Sequence, residues 1–119
     1  MAKVNTLPLY LHPLMSAPSI RLPYCAVCGR YQPLEQHHIV RRGAGKLYDE
    51  AGKEVEKPTI TLCGFGNNLQ DTDGREYCHG LAHANRLHFR MENGQLEYIV
   101  LDTPTQYIKA LDMDGWRPL

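Results

Sequence analysis

Apolar and polar positions alternate along this chain in short bursts separated by Gly, Pro and Asn, a rhythm that predicts short strands with few helices. Residues 1–24 carry prolines at positions 8, 13, 18 and 23, which blocks a helix and predicts an extended arm. Leu7, Leu9, Tyr10, Leu11 and Leu14 in that arm call for burial, so it reads as a strap laid over the domain. Gln36–Val40 and the β-branched run Thr59–Leu62 predict two core strands. Between them Leu47-Tyr48 and Val55 flank a turn at Asp49–Gly52, a plausible hairpin. Residues 64–74 are rich in Gly, Asn and Asp and predict a loop.

Asp73 with Glu76 three positions on forms a capping pattern, which predicts a helix from about Gly74 to about Arg86. Gly80 inside it costs about 1 kcal/mol relative to Ala. Leu87–Met91 and Leu96–Leu101 flank Glu92-Asn93-Gly94-Gln95, and Asn-Gly is the strongest short hairpin signal. Thr103-Pro104-Thr105-Gln106 combines an N-cap with Pro at the first helical position and predicts a last helix over about 104–112. The sum is a small α+β chain, divided into the arm 1–24 and a single domain 25–119 that ends in a hairpin and helix.

Size and composition narrow the class. The 119 residues make one domain, and 43% hydrophobic with 22% charged residues excludes a disordered charged tail and a coiled coil. No apolar run is long enough to span a membrane. The N-terminal segment is broken by Pro8 and Pro13 and makes a poor secretory signal, so a cytoplasmic protein is expected. The formal net charge is zero, so any nucleic-acid surface must be local. Charge is indeed segregated: residues 25–48 sum to +3 and residues 49–76 to −4.

Four cysteines change the picture. Cys25-Ala-Val-Cys28-Gly29 places two thiols three apart, with Gly releasing the backbone just after, as one tetrahedral zinc ion requires. A redox pair would need a strand before the first Cys and a helix starting at it, and Pro23-Tyr24 and Gly29 supply neither. Cys63 and Cys78 are the candidate second pair, separated by a wide 14-residue segment. On the helix expected around residues 77–86, Tyr77, Leu81 and Ala84 form an apolar seam, while His79, His83 and Arg86 fall nearly opposite. Two imidazoles one turn apart can share a metal ion. His37-His38 lies on the first core strand, where adjacent side chains face opposite ways. His12 and His88 read as structural.

Taken together, CxxC, a His-His pair on a strand, a strand ending in Leu-Cys and Cys-His on a helix resemble the HNH (His-Me finger) endonucleases that carry a four-cysteine zinc. The resemblance covers residues 25–86. It implies a ββα-metal domain stapled by zinc on Cys25, Cys28, Cys63 and Cys78. It implies His38 as the general base, with His37 and His79 as ligands of a catalytic divalent ion and His83 as the extra helical ligand of colicin-type nucleases. Two departures stand out: fourteen residues separate the last two cysteines, and Pro58 occupies the place of the family's middle Asn. Asn67 or Asn68 in the inserted loop are candidate substitutes for it.

The chemistry hangs together without the family. A neutral imidazole can take a proton from water near pH 7, and a divalent ion (Mg²⁺, Mn²⁺, Ni²⁺ or Zn²⁺) on His37, His79 and His83 suits phosphodiester hydrolysis. Three nitrogen ligands favour the softer ions over Mg²⁺. Arg41, Arg42, Lys46 and Arg86 are candidate phosphate contacts. The expected function is therefore a metal-dependent endonuclease acting on DNA, with RNA also open, of a type frequent among phage and mobile-element proteins. The rival is a non-catalytic zinc-stapled nucleic-acid-binding or adaptor domain.

Overall fold

The computed structural model describes residue 14, residues 17–40, 46–48 and 51–119. The candidate contacts Arg41 and Arg42, the turn residues Asp49 and Glu50, His12 and most of the arm's apolar residues lie outside them. The core of the molecule is an antiparallel pair, β1 (Leu34–His38) and β4 (Thr59–Cys63), in a register that sets Leu34 opposite Cys63 and His38 opposite Thr59. Ile60, Thr61, Leu62 and Cys63 are all buried, so β4 is covered on both faces and reads as a continuous run instead of an alternation. The connection between the two strands carries the small hairpin β2 (Leu47–Tyr48) and β3 (Glu54–Val55).

The arm adds a partial third strand. Ile20 donates to Thr59 O at 2.8 Å and accepts from Thr61 N at 3.0 Å, forming a parallel bridge to Ile60. Buried Thr61 repays its polarity by accepting the Leu22 N–H at 3.0 Å and donating to Gln36 Oε1 at 2.8 Å. Leu14 is buried and belongs to the same core cluster as Ile60 and Leu62.

After β4 the chain crosses a long loop and enters α1 (Cys78–His83), which packs against β4 and β5. This helix is shorter than the span 74–86 expected from sequence. Asp73 does not cap it: Asp71 Oδ1 accepts from Asp73 N at 2.8 Å and Arg75 N at 2.9 Å, and Gly74 has φ +82°. Residues 71–75 are therefore a closed turn, and the helix begins only after Tyr77, whose N–H bonds Leu69 O at 2.8 Å. Gly80 has a packing reason. A Cβ there would run into Asn68 O and sit 3.0 Å from Leu69 Cα, so the loop crosses the helix where no side chain stands.

A three-stranded sheet completes the fold: β5 (Leu87–Glu92), β6 (Gln95–Val100) and β7 (Arg117–Pro118). Asn93 and Gly94, at φ 52° and 78°, make the tight turn that Asn-Gly predicts. The final helix α2 is one turn, Tyr107–Ala110, within the span 104–112 expected for it, and β7 was not expected at all. Among the described residues no helix is long and apolar enough to cross a membrane. The result is a small α+β architecture of short sheets and short helices.

Candidate functional site

Two side-chain clusters converge on the junction of β1, β4 and α1. In the first, the sulfurs of Cys25, Cys28, Cys63 and Cys78 all lie within 4.8 Å of one another. The knuckle that presents Cys25 and Cys28 is closed by Cys25 N–H to Arg30 O and Gly29 N–H to Cys25 O, with Gly29 at φ +80°. Backbone N–H groups point at the sulfurs: Cys28 N to Cys25 Sγ at 3.5 Å, and Cys78 N to Cys63 Sγ at 3.2 Å. Hydrogen bonds from Cys63 and Cys78 hold the Cys25 thiol far below its ordinary range, while hydrogen bonds with Cys25 and Cys63 push Cys78 far above. One thiolate is thus stabilised at the expense of Cys63 and Cys78. Four sulfurs gathered in this way could hold a metal ion such as zinc.

The 14-residue separation of Cys63 from Cys78 does not keep them apart, because the loop between them folds back on itself and is tied down at several points. Arg30, at the end of the knuckle, donates to Asp71 Oδ2 at 2.6 Å and lies over the Tyr77 ring, 4.8 Å from its centroid. The side chains of that ion pair are only 16% and 14% exposed, so it fastens the loop to the knuckle in a dry setting where such a pair counts.

The second cluster lies one residue away along the chain. One ring nitrogen each from His37, His79 and His83 lie within 4.8 Å of one another. Their centroids are separated by 5.0 Å (His37–His79), 5.6 Å (His37–His83) and 4.6 Å (His79–His83). Burial, followed by the nearness of His79, His83 and His38, pushes His37 down to about 3. Burial and His79 lower His83 as well. Both imidazoles are therefore neutral near pH 7, the state in which a ring nitrogen can bind a metal.

Glu35 completes the cluster, and the sequence reading missed it. The Nδ1–H of His79 donates to Glu35 Oε1 at 2.6 Å, and this bond holds the carboxyl below its ordinary range. Glu35 Oε2 accepts the Gly66 N–H at 3.1 Å, so the inserted loop anchors the carboxylate from its other side. With Nδ1 protonated, the lone pair of His79 sits on Nε2, 3.1 Å from His83 Nε2. A carboxylate that fixes the tautomer of a histidine in this way is the usual support of a metal ligand. The signal was available: Glu35 and His37 are two apart on one strand and share a face.

His38 lies on the opposite face of β1 from His37 and lines a separate cleft together with Lys46. Just beyond it, Ile39 N–H bonds Pro58 O at 3.2 Å, so a backbone bond ties down the segment at which the family's Asn was expected. Asn67 and Asn68 are exposed in the loop, and what the loop gives the cluster is the Gly66 amide. The Arg86 guanidinium is taken up by Glu76 at 2.7 Å and Leu101 O at 2.9 Å. It lies beyond the last turn of α1, which ends at His83. Comparison with known proteins gave no matching family model, no matching curated protein and no matching solved structure.

Proposed function

We propose that the protein is a metal-dependent endonuclease of the HNH type, hydrolysing phosphodiester bonds of DNA. On this reading β1, β4 and α1 are the two strands and helix of a ββα-metal finger, stapled by zinc on the four cysteines. The observation that carries it is the convergence of His37, His79 and His83 nitrogens on one point, backed by Glu35. Three imidazole ligands fit a divalent ion of the Mn²⁺, Ni²⁺ or Zn²⁺ kind better than Mg²⁺. Such an ion supplies charge neutralisation on the phosphate and the leaving oxygen.

The chain's own residues do the rest. Glu35 keeps His79 in the tautomer whose Nε2 faces the cluster, and Gly66 keeps Glu35 in place. His38, the last residue of β1 and on its other face, is the proposed general base: it would take the proton of the attacking water on a ring nitrogen where the substrate passes the end of the strand. The test is nicking of supercoiled plasmid by purified protein with EDTA, Mg²⁺, Mn²⁺ or Ni²⁺, with His38→Ala and His79→Ala beside it. Nicking should need the metal and disappear in both variants while zinc content and thermal melt stay unchanged. Cleavage that survives His38→Ala at full rate would remove the assigned base. A second reading, a non-catalytic zinc-stapled nucleic-acid-binding or adaptor domain, is favoured by the position of His38 outside the three-histidine cluster. It predicts metal-independent binding with no nicking by any ion.

A further inference from the structure

A cleft of about 610 Å³ opens on the face of β1 that His38 occupies, turned away from the three clustered histidines. Its walls come from separate parts of the chain: Arg21 from the arm, Lys46 and Glu54 from the β2–β3 hairpin, Lys57 from the lead into β4, and His38 from the end of β1. Three cations thus line the cleft that also holds the histidine assigned as base.

The position of Arg21 is fixed by its neighbours. Ile20 is bonded on both sides to Thr59 and Thr61, Leu22 N–H is held by Thr61 Oγ1 at 3.0 Å, and Ser19 Oγ accepts the Thr59 N–H at 3.2 Å. Ile20 and Leu22 are half-buried while Arg21 between them is exposed, so the arm delivers one cation to the cleft at a set height. No carboxylate among the described residues pairs with it. Lys46 is held by Glu54 at 3.8 Å, with side chains 68% and 55% exposed. An ion pair so open to water is worth little and gives way to a better anion. Glu54 and Glu56 are the carboxylates that face these cations in the cleft.

We propose that this cleft holds the sugar–phosphate backbone of the strand being cut, with Arg21 and Lys57 as phosphate contacts and Lys46 released from Glu54 to make a third. The inference rests on the nuclease reading and deepens it: the arm becomes part of the substrate grip instead of a strap alone. It also accounts for a nucleic-acid surface on a chain of zero net charge, because cations from distant segments are gathered at one place.

The test is fluorescence anisotropy of a labelled DNA duplex with full-length protein carrying one equivalent of zinc and no other divalent ion. Arg21→Ala and Lys57→Ala should each weaken binding about 3- to 10-fold near 0.1 M salt, and should each flatten the slope of log K against log salt by about 0.9. Arg21→Lys keeps the charge and should restore most of the affinity. Glu54→Gln, which frees Lys46 and removes a repelling charge, should tighten binding about 2- to 5-fold, a gain that no damaged fold can mimic. Lys109→Ala, at an exposed position of α2, should change nothing. If parent protein binds and nicks DNA but Arg21→Ala, Lys57→Ala and Glu54→Gln all bind like it, the cleft assignment is wrong and the nuclease reading stands. If the parent instead binds an acidic peptide in this cleft and neither binds nor nicks DNA, both fall together.

Discussion

Gly64 is where the end of β4 meets the candidate metal centre, and replacing it with Ala tests that centre without replacing any ligand. Its φ lies outside the left-handed region, so the backbone accepts Ala and the whole effect is steric. A Cβ there would lie 2.5 Å from His79 Cβ and 2.9 Å from Glu35 Oε1. Ordinary contact begins at 3.4 Å, so α1 or Glu35 must retreat by about 1 Å, and neither can do so freely. His79 is fixed to a helix that packs on β4, and Glu35 is pinned between His79 and the Gly66 amide. Overpacking of this kind costs about 1–3 kcal/mol. At about 4 °C per kcal/mol for a chain of this size, the zinc-loaded protein should melt about 4–12 °C lower. Metal affinity at the three histidines should fall further than stability suggests, because ligand distances tolerate only about 0.2 Å; a loss of about 10- to 100-fold is expected. Thermal melts give the first quantity, and calorimetric titration of Ni²⁺ into zinc-loaded protein gives the second. A melting point within 1 °C of the parent, together with Ni²⁺ affinity within about twofold, would show that the Gly64–His79–Glu35 contact does not shape the site.

Other outcomes follow from the same contacts. Gly80→Ala should destabilise although helix propensity favours Ala by about 1 kcal/mol, because the new Cβ runs into the Asn68 carbonyl; a denaturant titration showing a net gain would refute the packing argument. Removal of zinc with a strong chelator, or Cys63→Ser, should unfold the junction of knuckle, β4 and α1 and abolish Ni²⁺ binding at the histidines, read by circular dichroism and titration on one sample. The Asp71 carboxyl is held below its ordinary range by the Arg75 N–H, then by Arg30 and the Asp73 N–H. A group with a lowered folded-state pKa stabilises fully above its unfolded value and loses that contribution as pH falls through the folded one. The parent should therefore lose more melting temperature than Asp71→Asn between pH 5 and about pH 2, and the two curves should run parallel above pH 5.

What the sequence shows of this molecule depends on how local each determinant is. The Asn93-Gly94 hairpin and the strands around Gln36 and Ile60 are written in short-range patterns, and the structure has them within two residues of expectation. The sequence places the start of α1 too early because the capping pattern Asp73–Glu76 is pre-empted: Asp71 closes a turn on the amides of Asp73 and Arg75, and Glu76 reaches Arg86 instead of an N-cap amide. β7 is two residues ending in Pro118, too short for any periodicity, and it exists only because Tyr98 and Glu97 offer it an edge. Glu35 escaped notice because a lone Glu in a strand reads as solvent-facing. Only its partner across 44 residues, His79, gives it a role.

The inserted loop is the part whose meaning the chain hides most completely. By spacing alone, residues 64–77 weaken the case for a four-cysteine site. In the fold they strengthen it: Asp71 grips the knuckle through Arg30, Leu69 sets the start of the helix through Tyr77, Asn68 rests on Gly80, and Gly66 holds Glu35. Both clusters are built on consecutive residues at each end of that loop. Cys63 supplies a sulfur and Gly64 the close approach to His79; Cys78 supplies a sulfur and His79 an imidazole. Neither cluster can therefore shift without moving the other. A metal bound by the thiols would fix the first turn of α1, and with it the angle at which His79 meets His37. The six-residue helix has no side-chain cap and no acidic residue in its first turn to hold that end by itself. A metal on the thiols would accordingly favour a metal on the histidines, and by linkage each would report the occupancy of the other.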